Sequence, residues 1–467
     1  MPITQGMSAQ ELPTGVANRL AEAERLFERG LVDEARERFE VILSGAGGDT
    51  WLQGQVLGDL AVMAIYAGEH ARAADLATQA LERCPDHLPA LEVVAYSEHA
   101  RQPGDSSATA DAPARPKRLL YNVNHRTLSQ AEIPIFRELG YEVFIPKVVP
   151  DEDPEFRSHE LTYEHDASLT CSAATLAVLN AHDFYRASWT PTVKLIVNQE
   201  FDVVVVALSA YLTPLAEAVT NFDGRVVARA FGREHPYRYT DHFTDQGRIQ
   251  LLSAMEGMGN RFVFGQGYDN LAEIEAAPLR ARRHTITVPL PERIFDREGT
   301  WTGEGTAAIF ICPGILDHVY YRERYDEIKR DFGDLPHAIF GRQATPVSDP
   351  NVLPYLSDAG LSDLYAHAPV FVYPSREPRH VHYSPIEAMV IGTPVLYRRG
   401  ALIDALAEGA DNPGACADTD ELRAKARALM AGDQRLAASI RAAQGPIVAK
   451  LSVELAARQW ADVLASG

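Results

Sequence analysis

Residues 368–397, APVFVYPSREPRHVHYSPIEAMVIGTPVLY, decide how the rest of the chain is read. An apolar run through Val370, Phe371, Val372 and Tyr373 ends at Pro374 and Ser375, and a polar loop follows. A helix is predicted to open near Ser384 and Pro385 and to carry Glu387, Ala388 and Met389; Gly392 and Pro394 stop it, and Val395 begins another strand. Proline suits the first helical turn because its missing N–H is not needed there. That turn leaves backbone N–H groups unpaired, and they attract an anion. A carboxylate one turn inside, Glu387, can accept sugar or ribose hydroxyls while the amides hold phosphate. Strand, loop and helix N-terminus in this order point to a nucleotide-sugar site.

Working outward, strands and helices alternate. Residues 307–312 and 337–340 read as strands, and 320–332 and 361–368 as helices. Earlier, 118–123, 141–147, 201–208, 225–230, 261–264 and 285–288 read as strands, with helices at 128–139 and 173–180. The run FDVVVVAL at 201–208 is β-branched throughout, as expected of a strand buried on both faces of a parallel sheet. Alternation of this kind implies two doubly wound α/β domains, with a ligand cleft at the carboxyl ends of their strands. Residues 451–464, LSVELAARQWADVL, read as a final helix.

The first hundred residues differ. Alanines and large apolar residues recur at helical spacing, with almost no strand signal. Gly30 and Gly68 each separate two helices, which gives a period of about 34 to 38 residues, the signature of tetratricopeptide repeats. Ala23, Gly30, Ala35 and Phe39 match one repeat; Leu57, Leu60, Ala61, Gly68, Ala73, Ala80 and Pro85 match a second, and Leu91, Val94 and Ala95 begin a third. Such repeats bury their faces by stacking and make a docking module rather than a chemical one. Residues 102–116, rich in Pro, Ser, Ala and Asp, read as a linker. The expected division is a helical module at 1–101, the linker, Rossmann-like domains at 117–290 and 291–445, and a terminal segment at 446–467.

The 467-residue chain carries a formal net charge of −20, which disfavours nonspecific nucleic-acid binding. No apolar run reaches transmembrane length, no signal peptide is apparent, and the chain is read as cytoplasmic. Cys84, Cys171, Cys312 and Cys416 are scattered, with neither metal-ligand nor disulfide-framework spacing. Asp151 with Asp153, and Asp418 with Asp420, form Asp-x-Asp strings; the first lies between prolines and the second at a natural helix N-cap, so neither is read as a metal site.

The segment Pro385-Ile386-Glu387-Ala388-Met389-Val390-Ile391-Gly392-Thr393-Pro394-Val395 resembles the donor-binding helix of GT-B glycosyltransferases, especially their large retaining family. The likeness extends over about 117–467 and is strongest from Ala307 onward. This sequence departs from the family in lacking its glycine-phenylalanine-glycine loop and in placing Glu377 and Glu387 ten positions apart, further than the family does. The resemblance implies an acceptor domain at 117–290, a donor domain at 291–445, a terminal helix that crosses back to the acceptor domain, and no bound metal or other cofactor. It also implies roles for particular residues. Tyr383, Ser384 and Glu387, with His382 and one of Arg322, Arg324 or Arg342, would hold a nucleotide-diphosphate sugar. His125, Glu234 and His235, on loops after first-domain strands, would act as base or position the acceptor, and Glu377 would complete the catalytic set. Helical repeats joined to such domains imply a protein acceptor, flagellin-like, with a glycan as the alternative. A sugar-nucleotide epimerase and a non-catalytic adaptor are the rival readings.

Overall fold

The computed structural model describes residues 14–100, 115–148, 168–209, 211–408 and 412–465. Residues 102–114 of the expected linker and the Asp151 and Asp153 string lie outside the described residues.

The chain begins with antiparallel helices Thr14–Glu28 (α1), Val32–Gly45 (α2), Thr50–Tyr66 (α3), His70–Arg83 (α4) and Leu88–Ala100 (α5), each packed on the next. Alanines at the crossings (Ala23, Ala35, Ala61, Ala73, Ala77 and Ala80) are fully buried, which lets the helix axes approach closely.

Six parallel strands follow: Lys117–Asn122 (β1), Tyr141–Phe144 (β2), Val203–Ala207 (β3), Arg225–Ala230 (β4), Phe262–Gln266 (β5) and Arg283–Thr285 (β6), in the order β2-β1-β3-β4-β5-β6. Between them run helices Arg126–Glu138 (α6), Ala173–Ala181 (α7), Pro191–Glu200 (α8), Thr213–Asn221 (α9), Tyr239–Asp245 (α10), Leu251–Met258 (α11) and Ala277–Ala281 (α12). Alternate residues of β1 serve opposite faces of the sheet. Leu120 packs with Val178 of α7 and Ile196 of α8, while Leu119 and Tyr121 pack with Phe136 of α6. The strand expected over 285–288 is a correction: β6 ends at Thr285, and Thr287 N–H instead donates to the Gln459 side chain at 2.7 Å.

A second parallel sheet contains Ala308–Ile311 (β7), His337–Phe340 (β8), Phe371–Tyr373 (β9), Val395–Arg398 (β10) and Ala415–Cys416 (β11), ordered β11-β10-β9-β7-β8. Its helices are Val319–Phe332 (α13), Asp358–His367 (α14), Tyr383–Ile391 (α15), Leu402–Leu406 (α16), Thr419–Met430 (α17) and Gln434–Ala449 (α18). Asp418 caps α17 by accepting from Glu421 N–H at 2.9 Å, the role its position predicts. The architecture is therefore an all-helical module followed by two doubly wound parallel sheets, as the sequence leads one to expect.

The last described helix, Val453–Ala465 (α19), returns to the first sheet. Trp460 packs edge-on against Phe136, with ring centroids 4.7 Å apart, and its indole N–H donates to Glu132 Oε1 at 3.3 Å. Glu132 is fully buried, as is its partner Arg229, 2.7 Å away. Tyr121 OH donates to the other Glu132 oxygen, and Arg229 also donates to the carbonyls of Gly265 and Thr287. A buried pair survives desolvation only when its remaining hydrogen-bonding capacity is met, and here it is.

The helical module is docked through α5, which packs on α7 and α8. His99 Nε2 lies 2.8 Å from Glu200 Oε1, and Glu200 also pairs with Arg118. Arg118 in turn bonds Glu142 at 2.7 Å.

Candidate active site

The loops after β1 and β4 of the first sheet meet the loop after β9 and the start of α15 of the second. The β9 loop passes through Pro374 and Ser375 and reaches α15, whose N-cap His382 makes no side-chain cap. The first-turn amides of Tyr383 and Ser384 are thus left uncapped by any side chain. The His382 ring is instead held between two tyrosines: Nδ1 lies 3.1 Å from Tyr373 OH and Nε2 3.3 Å from Tyr321 OH. Gly392, at φ 99°, ends the helix, as the sequence predicts.

Beside this helix start is a small cavity of about 30 Å³, lined by Tyr320, Tyr321, Arg324, Tyr373, Ser375 and His382 among others. That volume suits one water, not a sugar nucleotide, and the residues that line it all belong to the second sheet and its helices. Arg324 is half-buried, 3.2 Å from Glu327, with its guanidinium over the Tyr320 ring. Its Nε is buried without a hydrogen-bond partner. Arg322 is exposed on α13, and Arg342 is exposed in the loop after β8. Of the three arginines proposed for phosphate, only Arg324 lines the cavity.

Glu377 lies at the junction of the two sheets. Its carboxylate accepts from His235 N–H at 2.7 Å and from Tyr320 OH at 3.0 Å, and the residue is 7% exposed. Burial and the Glu377 charge push the Tyr320 hydroxyl well above its ordinary range, so it stays protonated and donates. His235 supplies its backbone, while its side chain is exposed; Glu234 beside it is half-buried and near enough to Tyr320 for its charge to be felt. The contact between the loops is extended by Arg233 N–H on the Arg379 carbonyl at 3.3 Å and by the Asn270 amide on the Pro378 carbonyl at 2.8 Å.

His125 caps α6 by accepting Leu128 N–H at 3.3 Å. Its ring centroid lies 5.9 Å from that of Phe231 and 5.8 Å from that of Tyr383. Tyr383 is half-buried, with its hydroxyl enclosed and without a partner. Glu387, one turn further along α15, is 8% exposed and accepts from Tyr365 OH at 3.4 Å. Burial raises its pKa, and the nearby Arg293 charge partly offsets this. Glu387 lies outside the cavity that Arg324 and His382 line. Arg324 and His382 thus line the cavity, Glu377 connects to it through Tyr320 and to the first sheet through the His235 backbone, and His125 packs on Tyr383, one turn before Glu387.

Sequence reasoning misses Tyr320, Tyr321 and Tyr373, which help to line the cavity. The signal is present in the Tyr320-Tyr321 doublet at the start of α13, directly after a strand and its loop.

No family model matches the chain, and no curated protein matches it. Among solved structures, a Thermobaculum terrenum O-GlcNAc transferase mutant is similar at 13% identity, with 98% of this chain and 99% of that chain covered and a TM-score of 0.43. A glycosyltransferase from Rickettsia africae is similar at 14% identity over 74% of this chain and 98% of its own, with a TM-score of 0.47. Anabaena HepE in complex with UDP-glucose is similar at 14% identity over 76% of this chain and 100% of its own, with a TM-score of 0.48. Likenesses this distant say nothing of the chemistry here, which has to be read from the site itself. Among the described residues no helix is long and apolar enough to cross a membrane.

Proposed function

We propose that the chain is a glycosyltransferase of the GT-B kind, which moves a sugar from a nucleotide-diphosphate donor to a protein or glycan acceptor. The observation that carries this reading is the start of α15, which has no side-chain cap and stands beside Arg324 with its unpartnered Nε, facing loops of the other sheet. A leaving diphosphate gains negative charge as the anomeric carbon–oxygen bond breaks, and amides and a guanidinium fixed in advance stabilise that charge. The acceptor oxygen then bonds the anomeric carbon, and its proton is released. The Tyr383 and Ser384 amides with Arg324 would hold the diphosphate, and Glu387 would take the ribose after local opening. His125 and Glu234 would face the sugar and the acceptor. The tetratricopeptide-like module would bind the acceptor or a partner that delivers it. No metal or other cofactor has a part in this scheme.

A thermal-shift screen of the full chain against UDP-, GDP-, TDP- and CMP-sugars tests it. A true donor at 100 times its dissociation constant stabilises the fold by about 2.7 kcal/mol. If no sugar nucleotide or free nucleotide shifts the melting temperature, the reading fails. The second reading, a non-catalytic adaptor, then stands; the small size of the cavity and the commitment of Glu377 to contacts within the chain favour it.

A further inference from the structure

Helices α1 and α3 of the helical module turn carboxylates toward each other. Residues three and four positions apart share a helix face, so Glu24, Phe27 and Glu28 stand together on α1. Asp59 and Tyr66, seven positions apart, share a face of α3. The two faces meet: Phe27 packs edge-on against Tyr66, with ring centroids 5.5 Å apart, and Asp59 feels the Glu24 charge. Asp59 is 3% exposed, and neither of its oxygens has a hydrogen-bond partner; one Glu24 oxygen is likewise enclosed and unpaired. The Gln55 amide, one turn before Asp59, only eases its charge. Among the described residues no cation pairs with Glu24, Glu28 or Asp59, and the arginines of α2 and α4 pair with other carboxylates.

A carboxyl withdrawn from water without a partner is costly. Burial, and after it the Glu24 charge, hold the Asp59 carboxyl well above its ordinary range, so the free chain keeps a proton there. A cation set between Glu24 and Asp59 takes the place of that proton, which passes to solvent. Tyr66, 75% exposed, offers a ring against which the methylene stem of a lysine or arginine lies. Acidic side chains outnumber basic ones from residue 14 to residue 100, which draws a basic segment in and turns an acidic one away.

We propose that α1 and α3 form a cation-accepting subsite, in which Glu24 and Asp59 hold a lysine or arginine side chain of an extended protein segment. The inference rests on the reading of the helical module as a docking platform and deepens it by naming the chemistry of the partner.

Fluorescence anisotropy tests it, with the full chain titrated into a dye-labelled nonapeptide of glycine, serine and lysine. The same peptide with arginine, glutamine or glutamate at the lysine positions is titrated alongside. The lysine and arginine peptides are expected to bind with dissociation constants below about 1 mM, and the other two not to bind. Asp59→Asn and Glu24→Gln should each weaken binding about tenfold or more. Glu37→Gln, at an exposed carboxylate on α2, should leave it unchanged. Asparagine has the shape of aspartate, so Asp59→Asn should also melt no lower than wild type. Four results would overturn the subsite: no binding of either cationic peptide, binding that survives both Asp59→Asn and Glu24→Gln, an equal loss in Glu37→Gln, or displacement of the peptide by an equal concentration of spermidine, which would assign the carboxylates to a free polyamine. The assay contains no donor, so its failure leaves the sugar-nucleotide thermal shift untouched, and a failed thermal shift leaves the subsite standing.

Discussion

Burial sets Arg324 apart from Arg322 and Arg342. Two of them are solvated, while Arg324 is drawn over Tyr320 toward the cavity. Arg324→Ala is accordingly expected to cost about 2–4 kcal/mol of transition-state stabilisation, with Arg322→Ala and Arg342→Ala within about threefold of wild type. Steady-state kcat/KM for the three variants checks this, and an Arg342→Ala loss as large as that of Arg324→Ala would contradict it. Sequence spacing puts all three arginines near the motif but cannot say which way a helix face turns when its hydrophobic pattern is weak. Glu377 teaches the same lesson. The resemblance gives it a catalytic part, whereas its carboxylate is engaged by His235 N–H, 142 positions earlier in the chain. A bond over that separation leaves no local trace. By contrast, Ser384, Pro385 and Gly392 are legible because capping and helix termination are local physics.

The contact between the two loops depends on one backbone conformation. Gly232 has φ 107°, and a Cβ there would sit 2.6 Å from the Arg379 carbonyl oxygen. Gly232→Ala should destabilise the chain by about 1–3 kcal/mol, read as a lower urea midpoint; an unchanged midpoint would mean that the loops are not held together in solution. At this scale the legible elements are those with a single reading. The VVVVA run of β3 is too short and too β-branched for anything but a buried strand. Helices α8 and α9 escape notice because PTVKLIVNQE and TPLAEAVTN are short apolar stretches in which helix and strand patterns compete. Their decisive signal is the proline in the first turn of each. The strand expected to continue to residue 288 stops early because Thr287 turns to bond α19, an element far along the sequence.

At the scale of the whole molecule, charge pairing fastens the helical module to the first sheet. Burial opposes a charge on His99, but its bonds to Glu200 and the Ala95 carbonyl outweigh burial and raise its pKa. Glu200 is held below the usual carboxylate range, chiefly by its bond to His99 and despite burial. The His99 contribution is complete below its unfolded value, about pH 6.5, and is lost as pH rises through the raised folded value; that of Glu200 is lost only in acid. The melting temperature should therefore fall more steeply from about pH 6 to about pH 8.5 in wild type than in His99→Gln. Equal slopes would show that the pair contributes nothing. The two-sheet plan and the helical preface are legible in the sequence because hydrophobic periodicity reports them directly, whereas the loop contacts that join the two sheets are not. The return of α19 has a further result for how the protein is made. Ala456, Trp460 and Val463 complete an apolar cluster whose other members are translated hundreds of codons earlier. On the ribosome, the first sheet must wait with one face covered only in part, by α6, until the entire second sheet has emerged, a window in which a chaperone would find its substrate.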